Sequence, residues 1–352
     1  MKRNTNVELV RAGSLLYVLL YHFCVVSGKG MTKPVLSPLL LMGGEVGVTL
    51  MFVISGFGVY MLLQSKECSY GAFLKGRFQK LAPEYYLCLG FLLLFSGASA
   101  YLNRMHAANL VTHVLFLHSF VPSHAGAING VLWTMSVTML FYVAAYWLYK
   151  LQKKSIVFPL LFAAASIAVK FCLYHVILPA RGITESSLYF VYGRQIYSAL
   201  DNFIVGMLVA ELIGKRKKTA TGLGLGITFA AGVCVLGWAW FGFRKGLYQD
   251  HFVGYIWHFV CAVLSGGLLY GVCTMKQITG FAVKPFHWVA KYSYGIYLWH
   301  LVLANTILAN CTWAQALNYP VLALILTGLS CAVGYVSARA GRAFQPNKSR
   351  QT

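Results

Sequence analysis

Residues 7–27 read VELVRAGSLLYVLLYHFCVVS, an apolar run that is interrupted by Glu8 near its start and by Arg11 and His22 within it. A helix needs about 20 mostly apolar residues to cross the hydrocarbon core of a bilayer, so this run predicts a membrane span. Nine further runs have the same character, and we predict spans at 43–64, 84–102, 132–149, 155–178, 195–213, 219–242, 252–275, 288–309 and 318–338. The sequence therefore predicts an all-α, polytopic integral membrane protein with about ten transmembrane helices.

The composition excludes the other broad classes of protein. Of the 352 residues, 59% are hydrophobic and only 11% are charged, and the mean hydropathy is +0.66. A soluble domain usually carries about 25% charged residues, and a disordered chain is polar and poor in aromatic residues. We expect residues 1–340 to form one membrane-embedded domain, followed by a short cytoplasmic tail at 341–352. The apolar segment 105–121 is shorter than a span, which predicts an interfacial or re-entrant segment.

The basic residues predict the orientation. With the N-terminus inside, 20 of the 29 Lys and Arg residues fall on the inner side, seven on the outer side, and Arg11 and Lys170 within spans. Arg194 is counted with the outer loops. Cytoplasmic loops are enriched in Lys and Arg, so both termini are predicted to be cytoplasmic. The same enrichment explains the net charge of +21 without a nucleic-acid partner.

Ionisable residues inside a span are costly and indicate function. Arg11 and His22 are eleven residues apart, which places them on one helix face about 16 Å apart along the axis. One face of the first span thus carries a cation near the cytosol and an imidazole deep in the membrane. By the same arithmetic His300, Thr138, Ser136 and Asp201 reach a similar depth, and Lys170 lies near enough to pair with Asp201.

A basic, aromatic segment lies between the second and third spans. Arg77 and Lys80 are three residues apart, so they would share a helix face and could hold a phosphate. Alternatively, the segment is a basic anchor at the membrane surface, which composition alone favours. The nine cysteines lack the spacing of a metal site, so no metal is expected.

Five stretches together resemble the acyltransferase 3 family of bacterial integral membrane acyltransferases. They are the Arg11–His22 pair preceded by Glu8, residues 47–57 (GVTLMFVISGF), residues 70–85 (YGAFLKGRFQKLAPEY), residues 133–142 (WTMSVTMLFY) and residues 293–300 (SYGIYLWH). Their order and spacing agree with the family over nearly the whole chain. The chain departs from it at Thr138, where the family usually has Glu, and at Lys80, where Arg is usual. If the family's carboxylate orients or charges the histidine, Asp201 or Glu45 would have to replace it in this chain.

The resemblance implies a multi-pass enzyme of the bacterial cytoplasmic (inner) membrane that moves an acyl group, most often acetyl, from acyl-CoA to a hydroxyl. The acceptor would be a surface polysaccharide or a lipid-linked glycan, and acyl-CoA would be a co-substrate rather than a permanently bound cofactor. By resemblance His22 is the essential imidazole, while Arg11, Arg77, Lys80 and Tyr85 belong to the CoA site. The short tail implies that transfer finishes within the membrane domain.

A neutral imidazole near pH 7 suits proton removal from a hydroxyl acceptor. We expect His22 either to act as this base or to carry the acyl group transiently, with His300, Ser136 and Thr138 lining the pocket and stabilising the oxyanion. His22 is chosen over His300 because it shares a face with Arg11, whereas His300 has no intramembrane cation on its own span. The rival interpretations are a transporter or flippase of a small anion or glycan, and a scaffold without catalysis.

Overall fold

The computed structural model describes residues 4–29, 36–95, 107–216 and 219–343, and within these ranges the chain is helical without any strand. The long helices are α1 Thr5–Ser27, α2 Gly43–Ser65, α3 Tyr70–Phe95, α4 Trp133–Lys154, α5 Val157–Ala180, α6 Ile196–Gly214, α7 Thr221–Lys245, α8 His251–Thr274, α9 Lys284–Asn310 and α10 Tyr319–Ala343. Each predicted span overlaps one of these helices.

Seven of the long helices are long and apolar enough to cross a membrane, namely α1, α2, α5, α6, α7, α8 and α10. The prediction of a polytopic, all-helical membrane protein is therefore confirmed at this level. The count of ten crossings and the cytoplasmic termini stay predictions. Residues 1–3 and 344–352 lie outside the described residues, and α10 continues past the predicted boundary at 340.

One boundary, the start of the third predicted span, differs from the sequence prediction. The basic segment 70–86, predicted to connect two spans, is the first half of α3 and is helical, with Pro83 inside the helix. The end of the predicted third span, at 96–102, lies outside the described residues. The segment after it is broken into short helices at Ala107–Val114, His118–Phe120 and Pro122–Ala125, as its short apolar run allows.

Helix α2 lies at the centre of the bundle, where it packs against α1, α4, α6 and α8. The approach of α2 to α6 depends on two glycines. A Cβ atom on Gly56 would collide with the backbone of Phe203 in α6, and one on Gly206 would collide with the carbonyl of Val53 in α2. Small residues let membrane helices approach closely, so this contact fixes α2 beside α6.

A buried ion pair joins α5 to α6. Lys170 Nζ lies 3.8 Å from Asp201 Oδ2, and both side chains are fully buried. Their similar depth predicted this pair, and the structure confirms it. Removing one partner of a buried pair leaves an uncompensated charge, which costs about 3–5 kcal/mol, whereas replacing both by apolar residues is often neutral.

We therefore expect Asp201→Leu to lower the thermal unfolding temperature of the purified protein strongly. The double variant Lys170→Met/Asp201→Leu should recover most of that loss, because it removes both charges. Differential scanning fluorimetry in detergent measures both. A double variant as unstable as Asp201→Leu would contradict this account of the pair.

Candidate active site

His22 on α1 and His300 on α9 form a hydrogen-bonded pair. His22 Nδ1 lies 3.0 Å from His300 Nε2, and the ring centroids are 4.9 Å apart. His300 is fully buried and His22 is partly exposed. The two helices that carry these histidines pack side by side, so residues 278 positions apart in sequence meet in one site.

The surrounding carbonyl groups set the tautomers of the two rings. His300 Nδ1 lies 2.6 Å from the carbonyl of Tyr297, and His22 Nδ1 lies 3.0 Å from the carbonyl of Val18. A carbonyl only accepts, so in neutral rings both Nδ1 atoms carry the hydrogen. The single Nδ1–H of His22 is then shared between the carbonyl of Val18 and Nε2 of His300, and His22 Nε2 keeps its lone pair. The pair thus presents one basic nitrogen, Nε2 of His22.

A cavity of about 450 Å³ lies among α1, α2, α3, α4 and α9. Tyr297, which lines it, is in ring contact with His300, with the ring centroids 5.5 Å apart. We call it the cation cavity, because four basic residues line it: Arg11, Arg77, Lys80 and Lys291. Arg77 Nε is buried without a hydrogen-bond partner among the described residues. A buried, unsatisfied donor is costly, and an anionic ligand in the cavity would satisfy it.

The deep end of the cation cavity points towards the histidines. Thr134, Thr138 and Tyr297 line it there, and the hydroxyl groups of Thr134 and Tyr297 are 3.1 Å apart in a hydrogen bond. Tyr297 lies one helical turn before His300, and its backbone carbonyl accepts the Nδ1–H of His300. The two histidines do not line the cavity themselves, so the cavity ends one layer of side chains short of them.

Arg11, Arg77, Lys80 and Thr138 all line this cavity, but Ser136 does not. Ser136 Oγ lies 2.7 Å from Ser119 Oγ and donates to the carbonyl of Phe116 at 2.5 Å. Residues two apart on a helix point about 200° apart, so Ser136 faces the segment 107–125 when Thr138 faces the cavity. The expectation that both line one pocket is wrong.

Tyr85 also lies away from the cavity. Its side chain is fully buried, and its hydroxyl donates to the carbonyl of His113 at 3.0 Å. His113 and His118 stack on each other with centroids 4.0 Å apart. Burial lowers the pKa of His118 to about 3. These residues anchor the segment 107–125 against α3, and none of them lines the cation cavity.

Neither carboxylate considered as a replacement for the family's Glu contacts His22. Asp201 pairs with Lys170, and Glu45 Oε2 lies 3.3 Å from Arg194 Nη2 and 2.8 Å from His258 Nε2. Arg194, counted among the outer loops, is only 2% exposed. Among the described side chains, the hydrogen-bonding partner of His22 is therefore another imidazole.

Sequence analysis missed Lys291 as a site residue, because it was assigned to the inner loops. It lies on α9, the helix of His300, and lines the cation cavity. The helix of His300 therefore contributes a cation to the cavity. Its position nine residues before His300, at the basic start of α9, was the available signal. Within the described residues, no cluster of three or more His, Cys, Asp or Glu could hold a metal.

An all-helical membrane domain with an imidazole pair beside a cation-lined cavity is the arrangement expected for an integral membrane acyltransferase. The sequence profile of the acyltransferase domain matches residues 4–339, and the chain belongs to the acyltransferase 3 family. It is also 26% identical over 300 residues to the exopolysaccharide production protein ExoZ of Rhizobium meliloti (strain 1021), covering 81% of this chain and 84% of that protein. No solved structure matches the chain significantly.

Proposed function

We propose that the protein transfers an acyl group, acetyl in the simplest case, from cytoplasmic acyl-CoA to a hydroxyl of an exopolysaccharide or its lipid-linked precursor in the bacterial inner membrane. The single observation that carries this proposal is the cation cavity, which is lined by four basic side chains and by Tyr297, the ring neighbour of His300. Family membership supports acyl transfer over transport. The similarity to an exopolysaccharide production protein supports the class of acceptor.

The basic residues of the cavity suit the phosphates of CoA. Arg77 offers a planar fork of donors that matches phosphate geometry, and Lys80 and Lys291 add point charges. All three lie near the start of α3 or α9, and Arg11 lies near the start of α1, so the cations gather at one end of the bundle. That end is the one predicted to be cytoplasmic, where acyl-CoA is available. The thioester arm then extends along α1 towards His22.

His22 Nε2 is the reactive nitrogen in this proposal. It removes the proton from the acceptor hydroxyl as the oxygen attacks the thioester carbonyl. The carbon–sulfur bond then breaks, and the CoA thiolate recovers the proton from the imidazolium. In the covalent alternative, Nε2 itself attacks the thioester carbonyl, and the carbon–sulfur bond breaks to release the CoA thiolate. The hydroxyl then attacks the acyl-imidazole, the carbon–nitrogen bond breaks to restore Nε2, and the hydroxyl proton passes to the CoA thiolate. Both routes need the lone pair on Nε2.

His300 acts as a positioning residue, and the cavity hydroxyls act on the oxyanion. By accepting from His22 Nδ1, His300 holds the tautomer in which Nε2 is unprotonated and fixes the ring plane. Thr138 and Tyr297 line the deep end of the cavity, where a hydroxyl donor can stabilise developing negative charge on the thioester oxygen. Thr138 thus acts as a hydrogen-bond donor. The ionised Glu that is usual at this position in the family could only accept.

Arg77→Ala and Lys291→Ala should each raise the KM for acetyl-CoA by about 10–100-fold and change kcat little, because a charged hydrogen bond to phosphate contributes about 1.5–3 kcal/mol. Steady-state kinetics in membranes with matched protein level measure this. Lys215→Ala is the control, since Lys215 is exposed and pairs with Glu211. An unchanged KM for both site variants would contradict the phosphate site and indicate that the start of α3 is a membrane anchor.

His22→Ala should reduce transfer of labelled acetyl by at least about 100-fold, the range of general acid–base help, with the protein still inserted. His300→Ala should retain measurable activity, and His300→Gln should retain more, because its amide oxygen can still accept from His22 Nδ1.

The control for both is His175→Ala, which removes a partly exposed histidine on α5 and should leave transfer unchanged. Near-normal turnover in His22→Ala, together with complete loss in His300→Ala, would show that His300 and not His22 is the reactive histidine.

A further inference from the structure

A second cavity adjoins the cation cavity at the same end of the bundle. It has a volume of about 370 Å³ and lies between the start of α1 and the end of α2. Its lining shares Arg11, Ile54, Gly58 and Leu62 with the cation cavity. We call it the side cavity. The mechanism above does not use it.

The two cavities differ in chemistry. Apart from the shared wall, the side cavity has an apolar surface formed by Val7, Phe57 and Met61. Its polar residues are Asn4, Glu8 and Ser65, near the ends of the two helices. Arg11 is the one basic residue among its lining residues, whereas four basic residues line the cation cavity. The side cavity therefore suits an uncharged, flat, apolar group with a polar edge.

Gly58 lies in the wall that the two cavities share. A Cβ atom on this residue would meet no atom within 4 Å, so the glycine faces open space in the shared wall. Arg11 lies on the same wall. A ligand that fills both cavities would therefore pass beside Arg11, with one end in apolar surroundings and the rest among cations.

We infer that the side cavity binds the adenine base of the acyl-CoA donor. This inference rests on the proposed function. CoA presents a flat aromatic base, then its phosphates, then a thioester arm. The structure presents the apolar side cavity, then Arg11 and the other cations, then the His22–His300 pair, in the same order.

The polar edge of the base also has a partner. The exocyclic amine of adenine is a donor, and Glu8 is a carboxylate that accepts several hydrogen bonds. Glu8 lines the side cavity, and its Oε2 lies 3.0 Å from His287 Nδ1. The Asn4 side chain already caps α1 by accepting from the backbone of Asn6 and Val7, so Glu8 is the better acceptor.

The test compares two donors, acetyl-CoA and acetyl-phosphopantetheine, which keeps the thioester arm and one phosphate but lacks the nucleotide. Met61→Trp fills the side cavity without changing a charge. It should raise the KM for acetyl-CoA by about tenfold and leave the KM for acetyl-phosphopantetheine within twofold of the wild type. Leu324→Trp, at a position 74% exposed on α10, is the matched control and should change neither.

A second variant, Val7→Phe, fills the same cavity from α1 and keeps the test decisive if Met61→Trp folds poorly. Equal effects on both donors, or no effect on acetyl-CoA, would overturn the adenine site while leaving acyl transfer intact; a lipid chain in the side cavity would give this result. If the wild-type protein transferred acetyl from neither donor, the proposed function would fail, and this inference with it.

Discussion

A histidine inside a membrane domain needs partners for its ring nitrogens, and the partner of His22 is His300. Water is scarce there, so an unsatisfied polar group costs several kcal/mol. The carbonyl groups of Val18 and Tyr297 accept from the two rings, and the hydrogen bond between the rings completes the chain. The result is a neutral pair in which one nitrogen, Nε2 of His22, remains basic. Everything proposed for catalysis depends on this arrangement.

Two other polar regions of the bundle differ in character. The cation cavity collects basic side chains from α1, α3 and α9. Glu45, Arg194 and His258 form a cluster that ties α2 to α8 and to the residue two positions before α6. The charges of Glu45 and Arg194 cancel within the cluster, as do those of Lys170 and Asp201. No Asp or Glu is among the residues that line the cation cavity, which suits an anionic substrate.

Much of the helical fold and part of the candidate site could be predicted from the periodicity and hydropathy of the sequence. The run at 7–27 predicted α1, and the eleven-residue spacing of Arg11 and His22 placed both towards one site. The rise per residue of a helix predicted that His300 lies at the membrane depth of His22, and that Lys170 lies at the depth of Asp201. Rotation about a helix axis could not be predicted, because it depends on packing against neighbours. That is why Ser136 and Thr138, at nearly equal depth, were wrongly assigned to one pocket. Lys291 was missed for a related reason. A basic residue near the start of a helix is assigned to the adjoining loop from sequence, and only the packing of the neighbouring helices shows that it lines a cavity.

The central claim is that the acyl donor runs from the basic end of the bundle to Nε2 of His22. A cryo-electron microscopy structure with acetonyl-CoA, in which a methylene separates the sulfur from the carbonyl and prevents transfer, tests it most directly. The account predicts the phosphates among Arg11, Arg77, Lys80 and Lys291, and the carbonyl carbon beside His22 Nε2 with the His22–His300 hydrogen bond retained. A carbonyl placed against His300 or Asp201, or phosphates bound outside the cation cavity, would contradict it.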